Sequence, residues 1–246
     1  VVNCTFQILY HNFTSIQLTM HWILHIDTAT TWCSVALSKD NQQIALKEAC
    51  SNENGKYIHS EKLHVFIHEI LSENQLSPKN LSAISVSNGP GSYTGLRIGM
   101  ATAKGLAAGL NIPIITLDTL QTMCVAAQKK GSFTYFLPLI DARRMECFSA
   151  IYKNDLSEYK GLFSLILTEL NDFEINDFCF FGDGADKGIE ILEAKGGTFI
   201  PNIHCTASNL IELAFQKFLN QDFADPILSE PLYGKEFMAG IPKKKL

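Results

Sequence analysis

The chain has 246 residues, 46% of them hydrophobic, which is enough for one large core or two small ones. Twenty basic residues against 25 acidic ones leave a net charge of −5, which argues against a protein that grips nucleic acid by itself, because phosphate neutralisation needs a basic face. No run approaches the roughly 18 apolar residues of a membrane span, and the seven scattered cysteines, without a Cys-x-x-Cys pair, fit a reducing cytoplasmic compartment rather than a disulfide framework or zinc site.

Residues 1–19 contain no Lys, Arg, Asp or Glu, and they lack the basic start and small-residue cleavage site of a signal peptide. Met20 is therefore the expected natural start, with an extra edge strand over residues 6–10 as the alternative. Residues 22–27, 32–38 and 42–50 are rich in apolar and β-branched residues and read as a three-strand meander. Leu63, Phe66, Ile67, Ile70 and Leu71 repeat at helical spacing and predict a helix over 59–73, with Ser60 as N-cap. A buried strand over 81–87 leads into Asn88-Gly89-Pro90-Gly91-Ser92-Tyr93-Thr94-Gly95 and a helix to about Leu110. A strand over 113–117 and a helix over 118–129 follow. The pattern then partly restarts, with strands over 134–140, 146–153, 162–167 and 178–181 and helices over 185–194 and 207–219. Strands first, then alternating helix and strand, twice over, imply two α/β halves of one architecture. The expected organisation is a leading segment (1–19), an N-terminal lobe (20–115), a C-terminal lobe (116–225) and a tail (226–246).

A strand, a glycine-rich turn and a helix N-terminus can cradle an anion with backbone N–H groups and the helix dipole. The loop is not a Walker motif, since no Gly-Lys-Ser/Thr follows at the required spacing, and a plain tight turn is an equal reading. In the helix behind it, Gly95, Gly99, Ala103 and Ala107 fall on one i+4 row. Each helical Gly costs about 1 kcal/mol relative to Ala, so the row calls for close packing. It serves either a contact with the chain's own sheet or a helix–helix interface with another subunit. Arg97, near the positive end of the dipole, suits an anion or a partner carboxylate.

Ile26-Asp27-Thr28-Ala29-Thr30, the glycine loop running on through Leu96-Arg97-Ile98-Gly99, Ile140-Asp141-Ala142-Arg143 and the late Glu230-Pro231-Leu232-Tyr233 resemble the bacterial TsaB (YeaZ) family. The likeness runs from about Met20 to the C-terminus and is densest before Asp141. It implies the two-lobed α/β fold of actin, sugar kinases and heat-shock ATPases, each lobe a mixed sheet flanked by helices. It also implies a role in making threonylcarbamoyladenosine beside the anticodon of tRNAs that read ANN codons. The implied partners are the catalytic paralogue TsaD and the ATPase TsaE, with tRNA reached through the complex; whether the chain alone forms a homodimer through the same helix face is left open by the sequence. ATP would be used by the wider complex, and no cofactor is assigned to this chain. In the family the first two helices of the N-terminal lobe make the TsaD contact. The candidate interface residues are thus Leu63 and Ile67 on the first helix and Gly95, Arg97, Gly99, Ala103 and Ala107 on the second. A Gly99→Leu change is then expected to abolish pairing and leave the fold intact.

TsaD-type relatives carry a His-x-x-x-His metal pair after the strand that follows the glycine-loop helix. The matching positions here are Thr119 and Met123, which cannot hold such a metal, so the chain is expected to be the non-catalytic member. Asp27, Gly89, Gly91, Ser92 and Asp141 form a candidate nucleotide or anion site, since Asp27 and Asp141 open equivalent loops in the two halves. His64 and His68 have metal-ligand spacing but read as a surface pair. The Gly-Asp-Gly turn at 182–184 could approach an adenosine but reads first as a C-terminal-lobe turn, and Lys243–Lys245 could touch tRNA but reads first as a solvated basic tail. Gly234-Lys235 departs from the aliphatic residue and Arg that usually continue the family's Tyr. A stand-alone sugar- or acetate-kinase-like phosphotransferase is the alternative function. The old peptidase label of the superfamily finds no supporting motif.

Overall fold

A computed structural model describes residues 20–51, 58–170 and 175–234; the expectations for residues 1–19, Lys235 and the Lys243–Lys245 tail lie outside them. Among the described residues, ten strands form two five-stranded sheets. In the first, β1 (Trp22–Asp27), β2 (Trp32–Lys39) and β3 (Gln42–Cys50) are antiparallel neighbours, while β4 (Leu81–Gly89) and β5 (Ile114–Asp118) continue from β1 in parallel, giving the order β3-β2-β1-β4-β5. The second repeats the plan: β6 (Tyr135–Asp141), β7 (Glu146–Lys153) and β8 (Glu158–Ile166) are antiparallel. From β6, strands β9 (Phe178–Phe181) and β10 (Thr198–Phe199) run parallel, giving β10-β9-β6-β7-β8. The restart read in the sequence is thus a repeated topology.

The helices cover the sheets. Helix α1 (His59–Glu73) buries Leu63, Ile67, Ile70 and Leu71 against one face of the first sheet together with α2 (Tyr93–Leu110). The N-cap of α1 is Ile58, without a side-chain cap, so Ser60 lies inside the helix instead. Helix α2 starts on Ser92, whose Oγ accepts from Gly95 N, and stops at Asn111, a left-handed residue whose N–H closes on the Ala107 and Ala108 carbonyls. Helix α3 (Thr119–Gln128) packs Leu120, Met123, Cys124 and Ala127 on the second sheet beneath Phe136, Ile140 and Phe181. Among the described residues no helix is long and apolar enough to cross a membrane.

Two expectations need correcting. The helix expected over 185–194 is a 3-10 turn (Asp186–Gly188) followed by the short α4 (Ile189–Glu193). The helix expected over 207–219 starts as a 3-10 turn (Ala207–Leu210) and continues as α5 (Ile211–Leu219); placed in the C-terminal lobe by chain order, it packs Leu210 of the turn and Ala214 of α5 against Ile23, Ala83, Ile115 and Leu117 of the first sheet. The chain crosses back because β1, β4 and β5 carry apolar residues on both faces, and α1 and α2 cover only one.

Candidate functional site

Just beyond the C-terminal ends of β1, β4 and β6 lies a cleft of about 670 Å³ between the lobes. One wall is the turn after β1 (Ala29–Thr31) and the start of α2 (Gly91–Thr94); the other is the Asp141–Arg143 turn, Phe148 and Asp183. Asp27 and Asp141, at the ends of β1 and β6, make the same local turn. Asp27 Oδ1 accepts from Ala29 N at 3.0 Å, and Asp141 Oδ1 accepts from Arg143 N at 2.7 Å.

Their surroundings differ. Asp27 is buried, and its Oδ2 finds no hydrogen-bond partner among the described residues. Desolvation pushes its carboxyl up to about 6, against the Ala29 N–H and the nearby Ser87 hydroxyl, which favour the charged form. The hydroxyl helps electrostatically without reaching good bonding geometry, as Ser87 Oγ is also unpartnered. Asp141 is exposed and salt-bridged to Lys187 at 2.6 Å. The same ammonium donates to the Arg144 and Glu146 carbonyls, pinning a turn in which Arg143 and Arg144 both have positive φ. Asp183 Oδ1 accepts from Asp141 N at 3.0 Å, and burial raises its pKa. The turn carrying Asp183, read mainly as a C-terminal-lobe turn, thus lines the cleft.

The glycine loop is spent on the protein itself. Ser92 N donates to Ala29 O at 2.6 Å, and a Cβ on Gly91 would overlap that carbonyl. Gly89, at φ +119°, donates its N–H to Thr119 Oγ1 at 3.2 Å and lies under the Leu232 carbonyl. Of the five candidate anion residues, Gly91, Ser92 and Asp141 line the cleft, while Asp27 and Gly89 do not. The phosphate-cradle reading is corrected to this extent: the loop amide of Ser92 is already occupied by a protein carbonyl.

The interface residues are corrected more strongly. Leu63, Ile67, Gly95, Gly99, Ala103 and Ala107 all face the chain's own core. A Cβ on Gly95 would overlap Thr28 O, and one on Gly99 would overlap Thr28 Oγ1. The small row exists so that α2 can lie on the β1 turn and sheet, and Gly99→Leu cannot leave the fold intact. Only Arg97 of the seven is exposed. Its guanidinium stacks 4.0 Å from the Tyr93 ring and its Nε donates to Tyr233 Oη at 2.9 Å. The outward face of α2 is Thr94, Arg97, Ala101, Gly105, Ala108 and Gly109, and a Cβ on Gly105 or Gly109 would meet open space. On α1 the exposed residues include His64, Val65 and His68. Thr119 and Met123 are buried: Thr119 holds Gly89, and Met123 packs against Gly182.

Residues 53–162 match the family model described as TsaD, tRNA N6-adenosine threonylcarbamoyltransferase. The chain is 41% identical over 133 residues to the Escherichia coli (strain K12) tRNA threonylcarbamoyladenosine biosynthesis protein TsaB, covering 54% of this chain and 55% of the relative. It is 30% identical over 153 residues to the TsaB of Buchnera aphidicola subsp. Schizaphis graminum, covering 62% of this chain and 70% of that one. The chain belongs to the TsaB family. Its match spans little more than half of the Escherichia coli relative's length. The solved structure of YeaZ from Pseudomonas aeruginosa has the same fold, with a TM-score of 0.72 at 20% identity, covering 87% of this chain and 100% of that one. The two-lobed TsaB fold accounts for the repeated sheet topology.

Proposed function

We propose that this chain is a non-catalytic subunit that supports threonylcarbamoyladenosine synthesis on tRNA by docking a TsaD-type catalytic paralogue. The observation that carries the reading is the fate of Thr119 and Met123. Where a TsaD-type chain presents metal ligands, this one buries a hydroxyl that holds the glycine loop and a thioether that fills the core. A thioether and a single hydroxyl are poor donors for a hard or borderline metal, so this chain contributes structure rather than a reacting centre.

The docking face is the outward side of α2 with the exposed residues of α1, not the inward row. Gly105 and Gly109 have no internal contact that requires glycine, yet each costs about 1 kcal/mol of helix stability. Close approach of a partner helix explains that cost. The paralogue would bring the same helix pair, consistent with a TsaD model matching across α1 and α2. The wider assembly would include the ATPase TsaE and would hold tRNA mainly through other subunits, as the −5 charge of this chain suggests. The test is depletion of the chain followed by mass spectrometry of tRNA nucleosides. Threonylcarbamoyladenosine is expected to fall, and unchanged levels would refute the role.

A further inference from the structure

Residues 224–234 contain no helix and only a single bridging residue, Ala224, yet they are tied down along their length. Ala224 N donates to Ile114 O at the edge of β5. Asp225 Oδ1 accepts from the amides of Ile227 and Leu228. Lys104, on α2, then donates to the Ile227 and Ser229 carbonyls at 3.1 and 3.0 Å. Further on, Leu232 N donates to Asn88 O at 2.6 Å, extending the end of β4, while its carbonyl covers Gly89. Tyr233 packs its ring 4.8 Å from Tyr93 and takes the Arg97 hydrogen bond. Gly234 lies against Phe148 of β7, closely enough that a Cβ would overlap the ring. One short segment thus runs from the edge of the first sheet, past α2 and the glycine loop, to the second lobe.

We propose that residues 224–234 form a latch that holds the glycine loop, and with it the mouth of the inter-lobe cleft, in a single conformation. Tyr233, clasped by Arg97 and Tyr93, is its catch. Only Pro90–Ser92 of this loop lie outside β4 and α2, and they join the two at a sharp turn. Gly89 sits at a positive φ with wide backbone freedom, so fixing it costs conformational entropy that neighbouring contacts must offset. The latch supplies those contacts from one side, as the Ala29 carbonyl and the Thr119 hydroxyl do from within. Arg97 lies just past the first turn of α2 and gains nothing from the helix dipole there. Its stacking on Tyr93 and its bond to Tyr233 give it a role that does not depend on an external anion. A merely passive segment would instead fray without effect on what lies beneath it.

Hydrogen exchange of the full chain, followed by mass spectrometry, separates the two. In Tyr233→Ala the amides of residues 88–95 are expected to exchange roughly tenfold faster, the size of the lost Tyr93 ring contact and Arg97 hydrogen bond together. Tyr233→Phe keeps the ring beside Tyr93 but lacks the oxygen that accepts from Arg97, so its loop is expected to exchange at an intermediate rate. The amides of β6 should be unchanged in both. Faster exchange confined to residues 224–234 would overturn the latch. So would equal acceleration in the loop and β6 for both variants, since that would mean global destabilisation.

Discussion

Thr28 donates its hydroxyl to the Gly95 carbonyl at 2.8 Å, and the same oxygen occupies the space where a Cβ on Gly99 would stand. One buried threonine therefore fixes both the first turn of α2 and the identity of a residue one turn later. Gly99→Ala forces Thr28 out of this bond, and the expected loss is about 1–3 kcal/mol, in the range of core overpacking. Gly105, on the opposite face, has no such neighbour. There the change to Ala is expected to raise the stability of the isolated chain by up to about 1 kcal/mol. Urea titration of the two variants checks the pair. Equal effects at both positions would contradict the orientation of α2.

Burial of Asp27 carries a pH signature. Its folded carboxyl is pushed up to about 6 from 3.8, so between these values the native state binds the proton and the unfolded state releases it. Stability contributed by this group is thus full below pH 4 and lost as pH rises through 6. His25 works the other way. Its ring lies between Ser85 Oγ at 2.7 Å and Ser38 Oγ at 2.8 Å, and burial lowers its pKa to about 3, so its contribution is lost as pH falls from 6.5 toward 3. The wild-type profile mixes the two signs, and Asp183 adds to the first. Asp27→Asn isolates the carboxyl while keeping an oxygen for Ala29 N. The variant is expected to gain on the wild type as pH rises from 4 to 7, by up to about 3 kcal/mol. A constant difference across that range, measured by chemical denaturation at each pH, would show that Asp27 titrates normally.

Restoring the histidine pair should not restore a metal site. Thr119→His removes the acceptor of Gly89 N, and Met123→His places an imidazole against Gly182 in the core. Leaving a buried donor unpaired costs about 1–3 kcal/mol, and loss of the packed thioether adds to it. The double variant is expected to be less stable and to show no rise in melting temperature with zinc. A zinc-dependent rise would mean that the start of α3 retains ligand geometry.

The repeated succession of elements, though not the strand order within each sheet, was legible because β1 and β6 each end on an Asp before a turn, followed by an apolar strand of similar length. The small-residue helix was legible too, but not its orientation. Gly95, Gly99, Ala103 and Ala107 form one i+4 row, while Ala101, Gly105 and Gly109 form another. Spacing alone does not say which row meets the sheet. Thr28 settles it, and Thr28 is 67 residues from Gly95 in the chain. The cleft followed the same rule. Asp27 and Asp141 were visible as strand ends, whereas Lys187, which neutralises Asp141, sits in a short turn with no pattern to mark it. Helix α5 was visible as a helix, but the sheet it covers depends on which apolar face remains open after α1 and α2 have docked.

The orientation of α2 fixes where a partner must be tested. A long, charged side chain at Gly105 points into solvent in the isolated chain and should leave the fold intact. Helix packing at a glycine brings axes to the near end of the usual 8–10 Å range, a gap that an arginine side chain would fill. Gly105→Arg is therefore expected to abolish co-purification with TsaD and to leave the melting temperature within a few degrees of wild type. Val65→Arg on α1, also exposed, should weaken the same contact, while Lys160→Glu on β8 of the other lobe should not. Retained binding by Gly105→Arg, with Lys160→Glu unaffected, would place the TsaD contact elsewhere on the chain.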